Sequence, residues 1–292
     1  MPLLIAVMGP TASGKTPLAE SISDELNALL VNADAFQIYR GLDIGTAKPE
    51  AKSRYELLDI KNPNEAFGVG EWVSRCVAIL EAAYAAGRNV VVVGGTGLYI
   101  RALFEEYSAM QPSPDPALRK ELENTPMSEL RVRLVNEFPA LAAKTDLNNP
   151  VRVRRALERM ASPAGAPVKV PQFQRLKFAI ECDPQDLEQR FIQRVDEMVQ
   201  NGWVNEIEGL RAQGFSRADP AFRAIGYRLF WDHLERKIDF DEARMTTIIQ
   251  TRQYAKRQRT WLRSEPRIHR IASASLRDMT TVTRQHISNV FK

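Results

Sequence analysis

The sequence predicts an α/β fold: a parallel sheet core flanked by helices, with a small all-helical insertion and a helical C-terminal region. Three observations predict it. The apolar run Leu3-Leu4-Ile5-Ala6-Val7-Met8 leads straight into a Gly-rich turn, Gly9 to Thr16, and then into helical periodicity. A second unbroken run, Asn89 to Val93, is Val-rich, as strands buried on both faces of a parallel sheet are. Finally, the Pro-rich stretches Pro112–Pro116 and Ser162–Pro171 bracket short helical segments with no buried strand among them. The expected division is therefore residues 1–112 as the first part of the core and 113–174 as the helical insertion. Residues 175–292 complete the core and add basic helices.

The chain has 292 residues, 44% hydrophobic and 26% charged, enough for one large or two smaller domains with real cores. No apolar run approaches the ~20 residues of a membrane span. The N-terminus is strand-like, without the basic region of a secretory signal, so a cytoplasmic protein is expected. Cys76 and Cys182 stand far apart, and His233, His269 and His286 form no metal-binding pair, so neither a disulfide framework nor a zinc site is expected. The net charge of +4 is mild, but its distribution is not. From Gln250 to Arg270, Arg252, Lys256, Arg257, Arg259, Arg263, Arg267 and Arg270 stand against Glu265 as the lone acid. Arg152, Arg154, Arg155 and Arg159 cluster mid-chain against Glu158. Two basic clusters in a phosphate-binding chain point to a polyanion, nucleic acid being the commonest.

Gly9-Pro10-Thr11-Ala12-Ser13-Gly14-Lys15-Thr16 fits G-x-x-x-x-G-K-[ST] without substitution, between strand and helix. The core is accordingly P-loop NTPase-like. Loop N–H groups and the helix N-terminus converge on an anion, Lys15 reaches the terminal phosphate oxygens, and the Thr16 hydroxyl faces Mg²⁺. The helix runs from Pro17 to Leu26, with Leu18, Ile22 and Leu26 on one face. Leu29 to Asp34 is a short strand ending in an acid, which brings Asp34 to the edge where open parallel sheets bind ligands. There a carboxylate can coordinate metal, cap a helix or act as a general base. Phe36 to Lys48 reads as loop, and Leu57–Ile60 as a weaker strand whose Asp59 is a second acid for Mg²⁺. Trp72 to Ala86 is helical and Gly87 stops it. The strand at Asn89–Val93 ends in Gly94-Gly95-Thr96 where a Walker-B strand would end in Asp, and a helix follows from Leu98 to Glu105. In the insertion, Ala117–Asn124, Met127–Phe138 and Val151–Met160 read as helices. Leu176–Ile180 resumes the sheet, Asp183-Pro184 starts a helix that ends at Asn201-Gly202, and the remainder reads as helical. A carboxylate beside a bound diphosphate suits a nucleophile that loses a proton as diphosphate departs. Phosphoryl transfer uses similar parts, and these residues alone do not separate the two.

Longer stretches do. The phosphate loop, Asn32-Ala33-Asp34 and the run Gln37-Ile38-Tyr39-Arg40-Gly41-Leu42-Asp43-Ile44-Gly45-Thr46-Ala47-Lys48-Pro49 resemble the tRNA dimethylallyltransferase family, bacterial type. Val93-Gly94-Gly95-Thr96-Gly97-Leu98-Tyr99, Asp115-Pro116, Arg152 with Arg155-Ala156-Leu157-Glu158, and Ala224-Ile225-Gly226-Tyr227 match in order. So do Thr251-Arg252-Gln253-Tyr254-Ala255-Lys256-Arg257-Gln258 and Thr260-Trp261, so the resemblance covers nearly the whole chain. Two places depart from it: Tyr55-Glu56-Leu57-Leu58-Asp59 stands where bacterial members usually carry His-His-Leu-Ile-Asp, and Asn148-Asn149 where Asn-Asp is usual.

The resemblance implies that the exocyclic amine of adenosine 37, 3′ of the anticodon, attacks C1 of dimethylallyl diphosphate, in tRNAs reading codons that begin with U. It implies Asp34 as general base, with Thr96 and Arg119 contacting tRNA or supporting the transition state. Gly9, Pro10, Thr11, Ala12, Ser13, Gly14, Lys15 and Thr16, with Arg223 and Arg252, would hold diphosphate, and Thr16 the Mg²⁺. The tRNA anticodon stem-loop would be met by Asp34, Ala35, Phe36 and Gln37; by Val151, Arg152, Val153, Arg154 and Arg155; and by Arg223, Ala224, Ile225, Gly226, Tyr227 and Arg228. A monomer is expected. Two rivals remain at this stage: an adenylate isopentenyltransferase acting on free AMP or ATP, and a P-loop small-molecule kinase.

Overall fold

The computed structural model describes residues 1–105, 115–161 and 169–290, without the side chains of Pro116 and Val290. Most of the predicted break at Pro112–Pro116 and most of the predicted 162–171 loop lie outside these residues. The chain divides into two compact units, one formed by 1–104 with 170–292 and the other by 105–169.

β1 (Leu3–Met8) is buried along its whole length and delivers the chain to α1 (Lys15–Leu26). β2 (Leu29–Asn32) and the two-residue β3 (Tyr55–Glu56) follow. This strand lies before the predicted Leu57–Ile60, because Leu57 (φ 63°) and Asp59 (φ 52°) adopt left-handed backbone that no strand continues through. α2 (Val69–Ala85), β4 (Val90–Gly94) and α3 (Gly97–Phe104) complete the first stretch of this unit.

The second unit contains α4 (Pro116–Asn124), α5 (Met127–Glu137), α6 (Pro139–Ala142) and α7 (Pro150–Ala161). Asp115 caps α4 by accepting the Ala117 N–H at 2.9 Å. Leu122, Leu130, Leu134, Val153 and Leu157 form its apolar core.

The first unit resumes with β5 (Gln174–Glu181) and α8 (Pro184–Gln200), which Asp183 caps at the Gln185 N–H (2.7 Å) as the sequence predicts. α9 (Trp203–Ala212), α10 (Tyr227–Leu234) and the long α11 (Phe240–Arg263) enclose an aromatic core of Trp203, Phe222, Tyr227, Phe230 and Trp231. β6 (His269–Ala272) and α12 (Leu276–Val290) end the described chain. β6 is a correction to the all-helical reading of this region: it pairs with β5 through Ile180 and Ile271. With a single fully buried residue in its span, it gives too short an apolar pattern to read.

The strands form one six-stranded parallel sheet in the order β3-β2-β4-β1-β5-β6. In register, Met8 stands beside Gly94 and Asn32 beside Val93, so β1, β2 and β4 finish at one edge. That common edge is where the chemistry collects.

Candidate active site

The phosphate loop is the turn from β1 into α1. Gly14 occupies the left-handed region (φ 85°), and a Cβ on Gly9 would collide with Ser13 Oγ, so both glycines are required by shape. No side chain caps α1, which leaves its first N–H groups open to an anion. They border a cavity of about 460 Å³ lined by Thr11 to Pro17. The Ser13 Oγ is buried and finds no partner among the described residues, as expected of a loop built around a ligand. Lys15 Nζ donates to the Pro10 carbonyl at 3.4 Å. Its burial, with Arg194 close by, lowers its pKa to about 8.

Asp34 follows β2 and is held on both sides. Its N–H donates to Asn32 Oδ1 (3.0 Å), and the Asn32 amide donates to the Asp34 carbonyl (3.2 Å) and to Leu57 O (3.0 Å). Asp34 Oδ1 accepts the Phe36 N–H at 2.9 Å, while Oδ2 makes no hydrogen bond to the described residues. One carboxylate oxygen is anchored and the other is free for chemistry. Thr96 Oγ1 accepts the Ala35 N–H at 3.2 Å, and the Thr96 N–H donates to Ala33 O at 3.3 Å. β4 therefore ends against the residues flanking Asp34. A Cβ on Gly94 would collide with the Ala33 carbonyl, so this strand closes on glycine instead of an acid because backbone lies against it.

α11 closes the site from above the sheet edge. Gln258 Oε1 accepts the Thr11 N–H at 2.9 Å, and its Nε2 donates to the Gly95 carbonyl at 3.1 Å. Arg194, on α8, is mostly buried; burial disfavours its charge and Asp34 favours it. A second cavity, of about 270 Å³, has Phe36, Phe191, Met198, Trp203 and Ile225 as apolar walls. Thr11, Asp34, Thr46, Arg194 and Tyr254 line both cavities, so the phosphate loop and the apolar chamber share one frontier.

A phosphate loop, a held carboxylate and a Gly-Gly-Thr turn meeting beside an apolar chamber is the arrangement against which the comparisons with known proteins stand. The IPP transferase family model matches residues 37–265. The chain belongs to this family. It is 39% identical over 280 residues to tRNA dimethylallyltransferase 1 of Citrifermentans bemidjiense, covering 91% of this chain and 90% of that one. The tRNA dimethylallyltransferase of Bordetella avium is 37% identical, with 91% of each chain covered. The crystal structure of the tRNA isopentenylpyrophosphate transferase of Bacillus halodurans superposes with a TM-score of 0.74 at 30% identity, covering 99% of this chain and 96% of that one. A eukaryotic dimethylallyltransferase, captured in crystallographic snapshots acting on tRNA, gives a TM-score of 0.81 at 25% identity. It covers 100% of this chain and 79% of that chain.

Not every residue predicted for this IPP transferase site lies in it. Thr11 to Thr16, Asp34, Gln37, Arg223, Ala224 and Ile225 line one or both cavities, with Ala35 bonded to Thr96 beside them. Gly9 and Pro10 are buried and shape the loop from beneath. Arg252 lines neither cavity and pairs with Glu188 on the exposed surface. Asp59 also lines neither: Lys48 and Lys52 bind it, and Lys48 ties it to Asp43 (2.8 Å). Tyr227 is a correction as an RNA-contacting side chain. It is fully buried and its hydroxyl donates to Glu206 Oε1 at 2.6 Å. Gly226 (φ 86°) is buried against Trp203, and Arg228 is half-buried.

In the helical unit Val153 is likewise a correction, since its side chain lies in that unit's core. Glu158, nearly buried, joins Arg119 (3.1 Å) to Arg155 (3.0 Å). Arg154 Nε donates to the Leu122 carbonyl at 3.1 Å. Val151 and Arg152 are exposed, with Arg152 3.8 Å from Asp146. In the basic C-terminal stretch, Glu265 is buried between Lys177 (2.7 Å) and Arg101 (2.9 Å), so the lone acid offsets none of the surface charge. Arg194, Tyr254 and Gln258 were missed as site residues. Tyr254 and Gln258 recur with Thr247 and Thr251 at helical spacing on α11, a signal that marks a face without saying what the face meets.

No described helix is long and apolar enough to cross a membrane.

Proposed function

We propose that this protein transfers the dimethylallyl group of dimethylallyl diphosphate to the N6 amine of adenosine 37, 3′ of the anticodon, in tRNAs reading codons that begin with U. The observation that carries the reading is the shared frontier of the two cavities, with the phosphate loop on one side, the apolar walls on the other and Asp34 between them. The loop N–H groups, Lys15 and Arg194 bind the diphosphate. The five-carbon chain leaves water for the apolar chamber, which also receives the flipped base. The N6–C1 bond forms as the C1–O bond breaks, the amine proton passes to Asp34 Oδ2, and the diphosphate carries away the bonding pair. Arg194 and Lys15 offset the charge that grows on the leaving group.

The residues present fit Mg²⁺. Thr16 offers a hydroxyl beside the loop, and Mg²⁺ takes few protein ligands where phosphate oxygens and water supply the rest. When bound, Mg²⁺ would neutralise part of the diphosphate charge. The exposed Arg152 and the arginines of α7 suit the backbone of an anticodon stem-loop, and Arg223 suits the entering nucleotide. The protein acts as a cytoplasmic monomer in this reading.

The test is transfer of labelled dimethylallyl groups, with Mg²⁺, to unmodified tRNA and to AMP in parallel. Label at adenosine 37 of tRNA alone is expected. Label on AMP alone would reassign the acceptor to free nucleotides, and label on neither would end the prenyl-transfer reading.

A further inference from the structure

We infer that Gln258 is a positioning residue that fixes the phosphate loop relative to the turn carrying Thr96, and through it relative to Asp34. The inference rests on the donor and base assignments proposed above. Gln258 sits inside α11, only 7% exposed, and uses both ends of its amide on functional backbone. Its oxygen accepts from Thr11 of the phosphate loop, and its nitrogen donates to Gly95. An apolar residue of the same size would leave the part-buried Thr11 N–H unmet and the Gly95 carbonyl with only the longer approach of the Tyr254 hydroxyl.

The surroundings are shaped to this amide. A Cβ on Gly95 would collide with Gln258 Nε2, so the turn is glycine where the amide approaches it. Tyr254, one turn earlier on the same helix, places its hydroxyl 3.5 Å from the same Gly95 carbonyl. From Gly95 the chain passes directly to Thr96, whose hydroxyl accepts the Ala35 N–H beside Asp34. Thr11, Gln258, Gly95, Thr96, Ala35 and Asp34 thus form a continuous line from the diphosphate loop to the base. Because its own N–H is engaged by Gln258, Thr11 leaves the cradling of phosphate to the amides that follow it. The separation of leaving group and base is the quantity such a clamp controls, and misplacement by about 1 Å costs on the order of a hundredfold in rate.

The test is a double-mutant cycle between Gln258→Met and Thr96→Ala, read as single-turnover transfer to tRNA per folded molecule. Gln258→Met keeps length and burial while deleting both bonds. Gln258→Glu, which keeps the Thr11 bond but sets an oxygen against the Gly95 carbonyl, serves if the Met variant folds poorly. Loss of the clamp is expected to slow transfer about tenfold or more in the wild-type background, with tRNA affinity unchanged, and less than about twofold once Thr96 is already gone. Affinity for inorganic pyrophosphate with Mg²⁺ needs no acceptor and gives a second readout, expected to weaken several-fold. Equal slowing in both backgrounds, or unchanged rate and pyrophosphate affinity, would overturn the inference. Transfer by the unaltered chain tests the proposed function separately.

Discussion

Glu206 accepts the hydroxyl of Tyr227 at 2.6 Å on one carboxylate oxygen and the N–H groups of Asp43 and Ile44, each at 2.7 Å, on the other. This carboxylate holds the start of the loop whose Gly45, Thr46, Ala47 and Lys48 go on to line the two cavities. Burial and the neighbouring Glu206 push the Tyr227 hydroxyl well above its ordinary pKa, so it stays a donor at any working pH. Glu206→Gln turns an –NH₂ toward groups that need an acceptor, and should lower stability by about 2 kcal/mol, against about 1 kcal/mol for Tyr227→Phe. Urea denaturation at unchanged m-value checks both.

Asp34→Asn keeps an acceptor for the Phe36 N–H, and so keeps the local turn. In the proposed reaction it removes the proton acceptor. Transfer should fall by about 10²–10⁴, the usual contribution of a general base, with tRNA affinity within about twofold of wild type. Single-turnover transfer and filter binding on the same preparation separate the two.

Lys15 gives donor binding a pH dependence of known sign. With its pKa lowered to about 8 by burial and by Arg194, it is charged in the free enzyme below that pH and neutral above it. A bound diphosphate favours the charged form, so binding takes up a proton as pH rises past 8. Affinity for the donor should be flat below about pH 8 and then weaken by up to about tenfold per pH unit. Calorimetry in buffers of different ionisation enthalpy measures the proton uptake directly.

Gly94→Ala should destabilise the protein by about 1–3 kcal/mol, because the new methyl meets the Ala33 carbonyl and no side chain can move aside. It should also slow transfer beyond the loss of folded protein, since Ala33 and Thr96 shift together. Thermal denaturation alongside activity per folded molecule distinguishes the effects.

The arginines of α7 differ in what they should do. Arg152 is exposed and, among the described residues, pairs loosely with Asp146 at 3.8 Å, so Arg152→Ala should reduce the salt slope of tRNA binding by about 0.7–0.9 with little change in stability. Arg155 is bonded to the nearly buried Glu158, so Arg155→Ala should also lower the melting temperature. Binding isotherms at several salt concentrations, with melting curves, check the contrast.

The phosphate loop and Asp34 were legible in the sequence because contiguous residues specify them: a strand, a fixed glycine spacing and a terminal acid. Gln258, Tyr254 and Arg194 were not, because their roles come from helices α8 and α11 packing over a sheet edge formed by distant residues. The same limit explains Tyr227 and Val153, which lie beside or within the stretches that carry the resemblance yet point into cores. A resemblance picks out a stretch of chain, and only packing says whether a residue within it can meet a substrate or supports the fold.

The bond between Thr11 and Gln258 joins residues 247 apart in the chain. Translation runs from the N-terminus, so the phosphate loop is made long before its clamp. Until α11 has been made, the growing polypeptide carries a phosphate loop that lacks Gln258 to set it against the Thr96 turn. A message cut short between α3 and α11 therefore yields a chain with the loop, Asp34 and the Thr96 turn but without Gln258 to join them.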